Sequence, residues 1–183
     1  MKHSLKIDSG KWLVIGTLML LMTITSIGNV SAATLTDADA ASLKFMREEE
    51  KLARDVYSAL YEKWKLPLFS NIAKSEQTHM NAIKTLLDRY NIPDSASSEA
   101  GKFNDPSLAA LYTDLIETGN ISLIDALEVG VTIEVTDIED LVIEINSTGL
   151  RDIKRVYSNL KQGSLSHLKA FVSNLALLGV VFE

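Results

Sequence analysis

Apolar side chains recur at alternating steps of three and four over most of this chain, a helical spacing. Positions 43, 46, 50, 53, 57, 60 and 64 carry Leu, Met, Glu, Ala, Tyr, Leu and Trp, an apolar seam broken by one carboxylate. The pattern predicts a helix over about residues 37–64, capped by Thr36, Asp37 or Asp39. Pro67 then breaks the chain. A second helix over about 69–90 buries Ile72, Ala73, Met80, Ile83, Leu86, Leu87 and Tyr90, and its apolar arc also contains Glu76 and His79. A polar stretch runs on to about Pro106, and a short helix is expected over 107–117.

A third helix over about 122–145 aligns Leu123, Leu127, Val131, Ile138, Leu141 and Ile145, with Glu134 in mid-stripe. A fourth begins near Leu150 and aligns Ile153, Tyr157, Leu160, Ser164, His167, Phe171 and Leu175. Gly163 weakens it by about 1 kcal/mol relative to Ala and opens the way to local distortion. The apolar tail, residues 177–183, is free to dock on the bundle or to anchor weakly. Short links join helices one to two and three to four, and a long one joins two to three. The expected architecture is therefore all-α: an antiparallel four-helix bundle with a long crossover carrying a short helix.

The first residues stand outside this pattern. Lys2, Lys6 and Lys11 precede an uncharged, mostly apolar run over 12–28, and Val30-Ser31-Ala32-Ala33 offers small residues for cleavage. Residues 1–32 read as a signal peptide, or as an N-terminal anchor if uncleaved, leaving a bundle over 33–183. Both readings export the bundle, to the periplasm, the cell envelope or the medium. With no cysteine, thiolate metal sites and Cys nucleophiles are excluded. A net charge of −6, more negative once those lysines are removed, argues against a nucleic-acid partner. A membrane contact follows only if the leading segment stays, and homo-oligomerisation is left open.

The chemistry lies in what interrupts the seams. Buried carboxylates are costly unless paired or metal-bound, yet Glu50, Glu76 and Glu134 occupy three different seams. After residue 33 the chain has two histidines, His79 and His167, both on inward stripes. Glu76 and His79, three residues apart, project from one helical face, as a bridging carboxylate and a terminal imidazole would. Di-iron bundles take one Glu from each of two helices and Glu-x-x-His from each of the other two. Glu50 and Glu134 fill the single roles and Glu76-x-x-His79 one pair. The other pair reads Ser164-x-x-His167, one carboxylate short. Ser164 could hold a water there. Asp137, one turn from Glu134, is a candidate replacement, and Glu49 is a further candidate within the first helix's arc. Tyr57 reads as a core aromatic or a redox residue, Trp64 as core or interface, and Lys51, Arg54 and Asp55 as a solvated face.

Glu50-x-x-Ala53-x-x-x-Tyr57 and Ser75-Glu76-Gln77-Thr78-His79 resemble the first- and second-helix signatures of rubrerythrins and bacterioferritins. The run over 45–57, Phe69-Ser70-Asn71-Ile72-Ala73 and the run over 163–171 resemble more closely a prokaryotic ferritin-like family catalogued as a domain of unknown function. The likeness spans about residues 43–175. It implies a ferritin-like fold and a metal site; the ligand residues themselves suit iron (di-iron) or manganese, with oxygen- or peroxide-linked redox activity as one reading. A non-catalytic metal-binding or structural bundle of the envelope is the other. No particular reaction is implied.

Overall fold

The computed structural model describes residues 34–180. The proposed signal segment lies outside the described residues, as do the last three of the tail. Five helices follow: α1 (Asp37–Trp64), α2 (Pro67–Arg89), α3 (Pro106–Gly119), α4 (Leu123–Ser147) and α5 (Arg151–Leu177). Among the described residues, no helix is long and apolar enough to cross a membrane.

Local chemistry sets the ends. Thr36 caps α1 in a capping box with Asp39, which removes two orphan donors reciprocally. Ser122 caps α4 through the Asp125 N–H, and Asp105 caps α3 through the N–H groups of Ser107 and Leu108. Helix α2 starts two residues earlier than the sequence suggested. Pro67, read as a breaker, also serves as its N1 residue, where no N–H is missed. The tight α1–α2 turn puts Lys65 in the left-handed region, at φ 54°.

α1 and α2 form one antiparallel hairpin and α4 and α5 another; α2 packs across on α5, and α1 on α4. Short α3 lies against α1 and α4, tied by Trp64 Nε1, which donates to the Gly119 carbonyl at 2.8 Å. The expected bundle, with its long crossover and short helix, is the fold. Val180 of the tail is buried against the core, whereas Leu177 and Leu178 are exposed.

The apolar interior comes in two parts. One is centred on Val56, Tyr57, Phe69, Leu127 and Phe171. The other holds Leu43, Met46, Ile83, Leu86, Leu141 and Tyr157. On every long helix, the residues between these parts are the polar ones singled out above: Glu49 and Glu50, Glu76 and His79, Glu134 and Asp137, Ser164 and His167. Two cores thus sandwich a charged layer, at a desolvation cost that demands compensation within the layer.

The reading of Lys51, Arg54 and Asp55 as a solvated face is corrected for Lys51 and Asp55, while Arg54 beside them stays partly exposed. Lys51 is 0 % exposed and Asp55 4 %. Their ion pair, 2.6 Å long, is roofed by the crossover: the Gly101 N–H donates to Asp55, and the Phe103 ring lies 4.3 Å from the ammonium. Neighbouring Glu48 accepts from the N–H groups of Asn104 and Asp105. That face of α1 is the seat of the crossover.

Candidate metal centre

Three carboxylates and two imidazoles converge in the charged layer, one residue set from each long helix. Glu76 lies at the centre. Its Oε2 is 2.7 Å from His79 Nδ1, and its Oε1 is 2.8 Å from His167 Nδ1. His79 Nδ1 also lies 3.1 Å from Glu50 Oε2, and His167 Nδ1 lies 3.5 Å from Glu134 Oε2. Two groups with metal-ligand spacing result, Glu50–Glu76–His79 and Glu76–Glu134–His167, sharing Glu76. The two imidazole rings stack 5.6 Å apart.

Two of these residues, Glu134 and His167, are held from behind. Tyr57, buried and fixed in a cluster with Phe69 and Phe171, donates its hydroxyl to Glu134 Oε1 at 2.6 Å. Tyr57 is thus both core aromatic and site neighbour. Nε2 of His167 pairs with Ser75 Oγ at 2.9 Å. If Nε2 carries the proton, Nδ1 turns a lone pair toward two carboxylates. That arrangement needs a cation between them, either a proton or a metal.

Gly163 explains the seat of His79. A Cβ there would come within 2.6 Å of His79 Nε2 and 2.7 Å of its Cε1. α5 runs unbroken through Gly163, so the glycine admits a ring where distortion was expected. Beside it, Ser164 Oγ donates to Asp137 Oδ2 at 2.5 Å, with the Leu160 carbonyl a second acceptor at 3.0 Å. Glu49, also buried, faces Asp140 of α4 and belongs to neither histidine group.

Among the described residues, six buried side-chain atoms lack a hydrogen-bond partner, and five belong to this layer: Glu49 Oε2, Glu50 Oε1, Glu76 Oε1, Asp137 Oδ1 and His167 Nδ1. Glu76 Oε1 and His167 Nδ1 are close without being aligned as donor and acceptor. Orphaned donors of metal-binding type, converging on one layer, fit bound divalent cations better than a closed hydrogen-bond network.

The electrostatics agree. Burial pushes Glu50 and Glu49 well up, and the Asp137 charge adds to it. Burial also lifts Glu134 and Asp137, each to about 7. Burial would raise Glu76 too, but the two imidazoles outweigh it and hold it at about 2. Burial opposes charging His167, yet Glu134 and Glu76 push it up to about 9, and Glu76 likewise raises His79.

A stability profile follows for the metal-free protein. Glu134 and Asp137 favour their neutral forms in the fold, so their contribution is full below about pH 4 and lost as pH rises to about 7. His167 contributes below about 6.5 and loses it as pH rises to about 9. Glu76 acts oppositely, losing its contribution as pH falls from about 4.5 to 2. The chelator-treated chain should therefore show a Tm that falls from pH 5 to 9. Bound metal replaces those protons, so saturating Mn(II) should reverse the slope. A Tm that is flat across this range in both forms would contradict the assignment.

Comparison with known proteins places the chain. The family model described as "Uncharacterized protein domain (DUF2202)" matches residues 39–183. The chain belongs to the DUF2202 family. It is 51 % identical over 150 residues to the uncharacterized protein MJ0754 of Methanocaldococcus jannaschii, covering 81 % of each chain. A crystal structure of the hypothetical protein MJ0754 from Methanococcus jannaschii superposes with a TM-score of 0.80 at 49 % identity, over 86 % of this chain and 89 % of that one. The DUF2202 match contains every residue of the polar layer.

Sequence reasoning did not find Ser75 or the use of Gly163. Ser75 carries no signal beyond preceding Glu76. Gly163 did signal: a helix-weakening glycine beside a missing ligand marked a place where something else needed room.

Proposed function

We propose that this DUF2202 protein is an exported ferritin-like protein that holds a pair of iron or manganese ions in its bundle. The observation that carries the reading is Glu76, which offers one oxygen to each of two histidine-bearing groups. Glu50 and His79 would hold one ion, Glu134 and His167 the other, with Glu76 between them. Such a pair, when bound, would supply one electron from each ion toward dioxygen or peroxide. The chain's own residues bind and orient: Tyr57 fixes Glu134, Ser75 fixes the His167 ring, and the two apolar cores exclude water. The leading segment, by its charge and apolar pattern, would export the chain.

Ser164, in place of a carboxylate, favours a second reading in which the site holds metal without turnover. Metal analysis of the protein from its own host, then dioxygen consumption after anaerobic Fe(II) loading, tests both. Two ions with consumption supports the first reading, and bound metal without consumption the second. A chain that takes up neither iron nor manganese contradicts both.

Gly163→Ala should separate the site from the fold. Alanine favours the helix by about 1 kcal/mol, while overpacking costs about 1–3 kcal/mol. The atoms it strikes are the far edge of His79, which swings away more cheaply than the backbone moves. We expect a small Tm change in the metal-free protein and loss of the ion at His79. Unaltered two-metal binding would show that the ring needs no such notch.

A further inference from the structure

The Gly163-Ser164 step of α5 forms a notch, and two groups from other helices occupy it. His79 of α2 lies against Gly163. Asp137 of α4 reaches Ser164, the position where a di-iron bundle carries its fourth carboxylate. Asp137 is 6 % exposed and Ser164 1 %. A buried aspartate with a single hydroxyl partner is poorly compensated. Its other oxygen, Oδ1, has no partner. Asp137 stands one turn from Glu134 on α4, outside both ligand-spaced groups as they lie, and its charge acts on Glu50, Glu76, His79 and Glu134. An Asp side chain is one methylene shorter than Glu, so a carboxylate there needs a fixed anchor. Ser164 supplies it: its hydroxyl holds Oδ2 and leaves Oδ1 free.

We propose that Asp137, anchored by Ser164, is the fourth carboxylate of the metal site, moved from α5 to α4. This rests on the metal reading above. The apparent gap in the second Glu-x-x-His pair is then a relocation of the ligand. Ser164 acts as a positioning residue, with no contact to metal required of it.

The experiment is anaerobic titration of the metal-free full-length chain with Fe(II), read as stoichiometry by equilibrium dialysis. Melting of each metal-free variant is followed by circular dichroism. Wild type should bind two ions. Asp137→Asn preserves shape and should bind one ion as before and the second more than roughly 100-fold more weakly, beyond the range for removing an outer-shell partner. Ser164→Ala should weaken the second ion by roughly 10–100-fold. The double variant Asp137→Asn with Ser164→Glu, which puts a carboxylate back on α5, should restore the second ion. Two ions held by Asp137→Asn at wild-type affinity would overturn the assignment. So would a double variant whose second site is as weak as that of Asp137→Asn alone. A wild type that binds no ion would instead remove the metal reading on which the assignment depends.

Discussion

Glu76→Gln is expected to leave the protein without either metal ion. The substitution keeps the shape and removes the one charge common to Glu50–Glu76–His79 and Glu76–Glu134–His167. Loss of a partner one shell out costs a metal site roughly 10–100-fold, and loss of a shared direct ligand should exceed that at both positions. His79→Ala, by contrast, should cost one ion. The metal-free protein carries an independent signature. Glu76 contributes to raising both imidazoles, His167 to about 9. Without it, burial is opposed by fewer charges, and both histidines should titrate at lower pH in imidazole NMR. If one ion stays at full affinity in Glu76→Gln, the carboxylate is not shared and the site is two separate mononuclear ones.

That arrangement was partly legible in the chain. A carboxylate on an apolar seam is visible because helical period and burial are linked. Glu50, Glu76 and Glu134 could therefore be picked out from one dimension, as could His79 and His167. Which oxygen faces which ring could not, because rotamers are settled by the packing of neighbours from distant sequence. The Ser75–His167 pair joins positions 92 apart. Glu49 shows the same limit: it shares an arc with Glu50, yet it faces Asp140 and stays outside both histidine groups. Helix boundaries were legible to within two or three residues because caps and prolines act locally. The burial of Lys51 and Asp55 was hidden for a different reason. Periodicity reports the face that meets the other long helices, and here the opposite face of α1 is covered by an irregular crossover with no period of its own.

Asp55→Ala should be the most damaging single change outside the metal layer. Asp55 accepts from Lys51 Nζ at 2.6 Å, from the Gly101 N–H at 3.0 Å and from Arg54. Removing it strands an ammonium that is 0 % exposed and frees a backbone donor at the crossover. Breaking a buried pair from one side costs about 3–5 kcal/mol, most of it from the uncompensated charge. Chemical unfolding of the metal-free protein should register that loss. A second variant identifies its origin. Lys51→Met with Asp55→Leu replaces both charges with apolar groups, and such exchanges are often neutral or stabilising. The double variant should therefore regain most of the stability. It still lacks an acceptor for Gly101, so amide exchange there should stay fast while the rest of α1 is protected again. A cost below about 1 kcal/mol for Asp55→Ala, the range of solvated pairs, would mean that Lys51 escapes to water and that the crossover is held chiefly by Glu48.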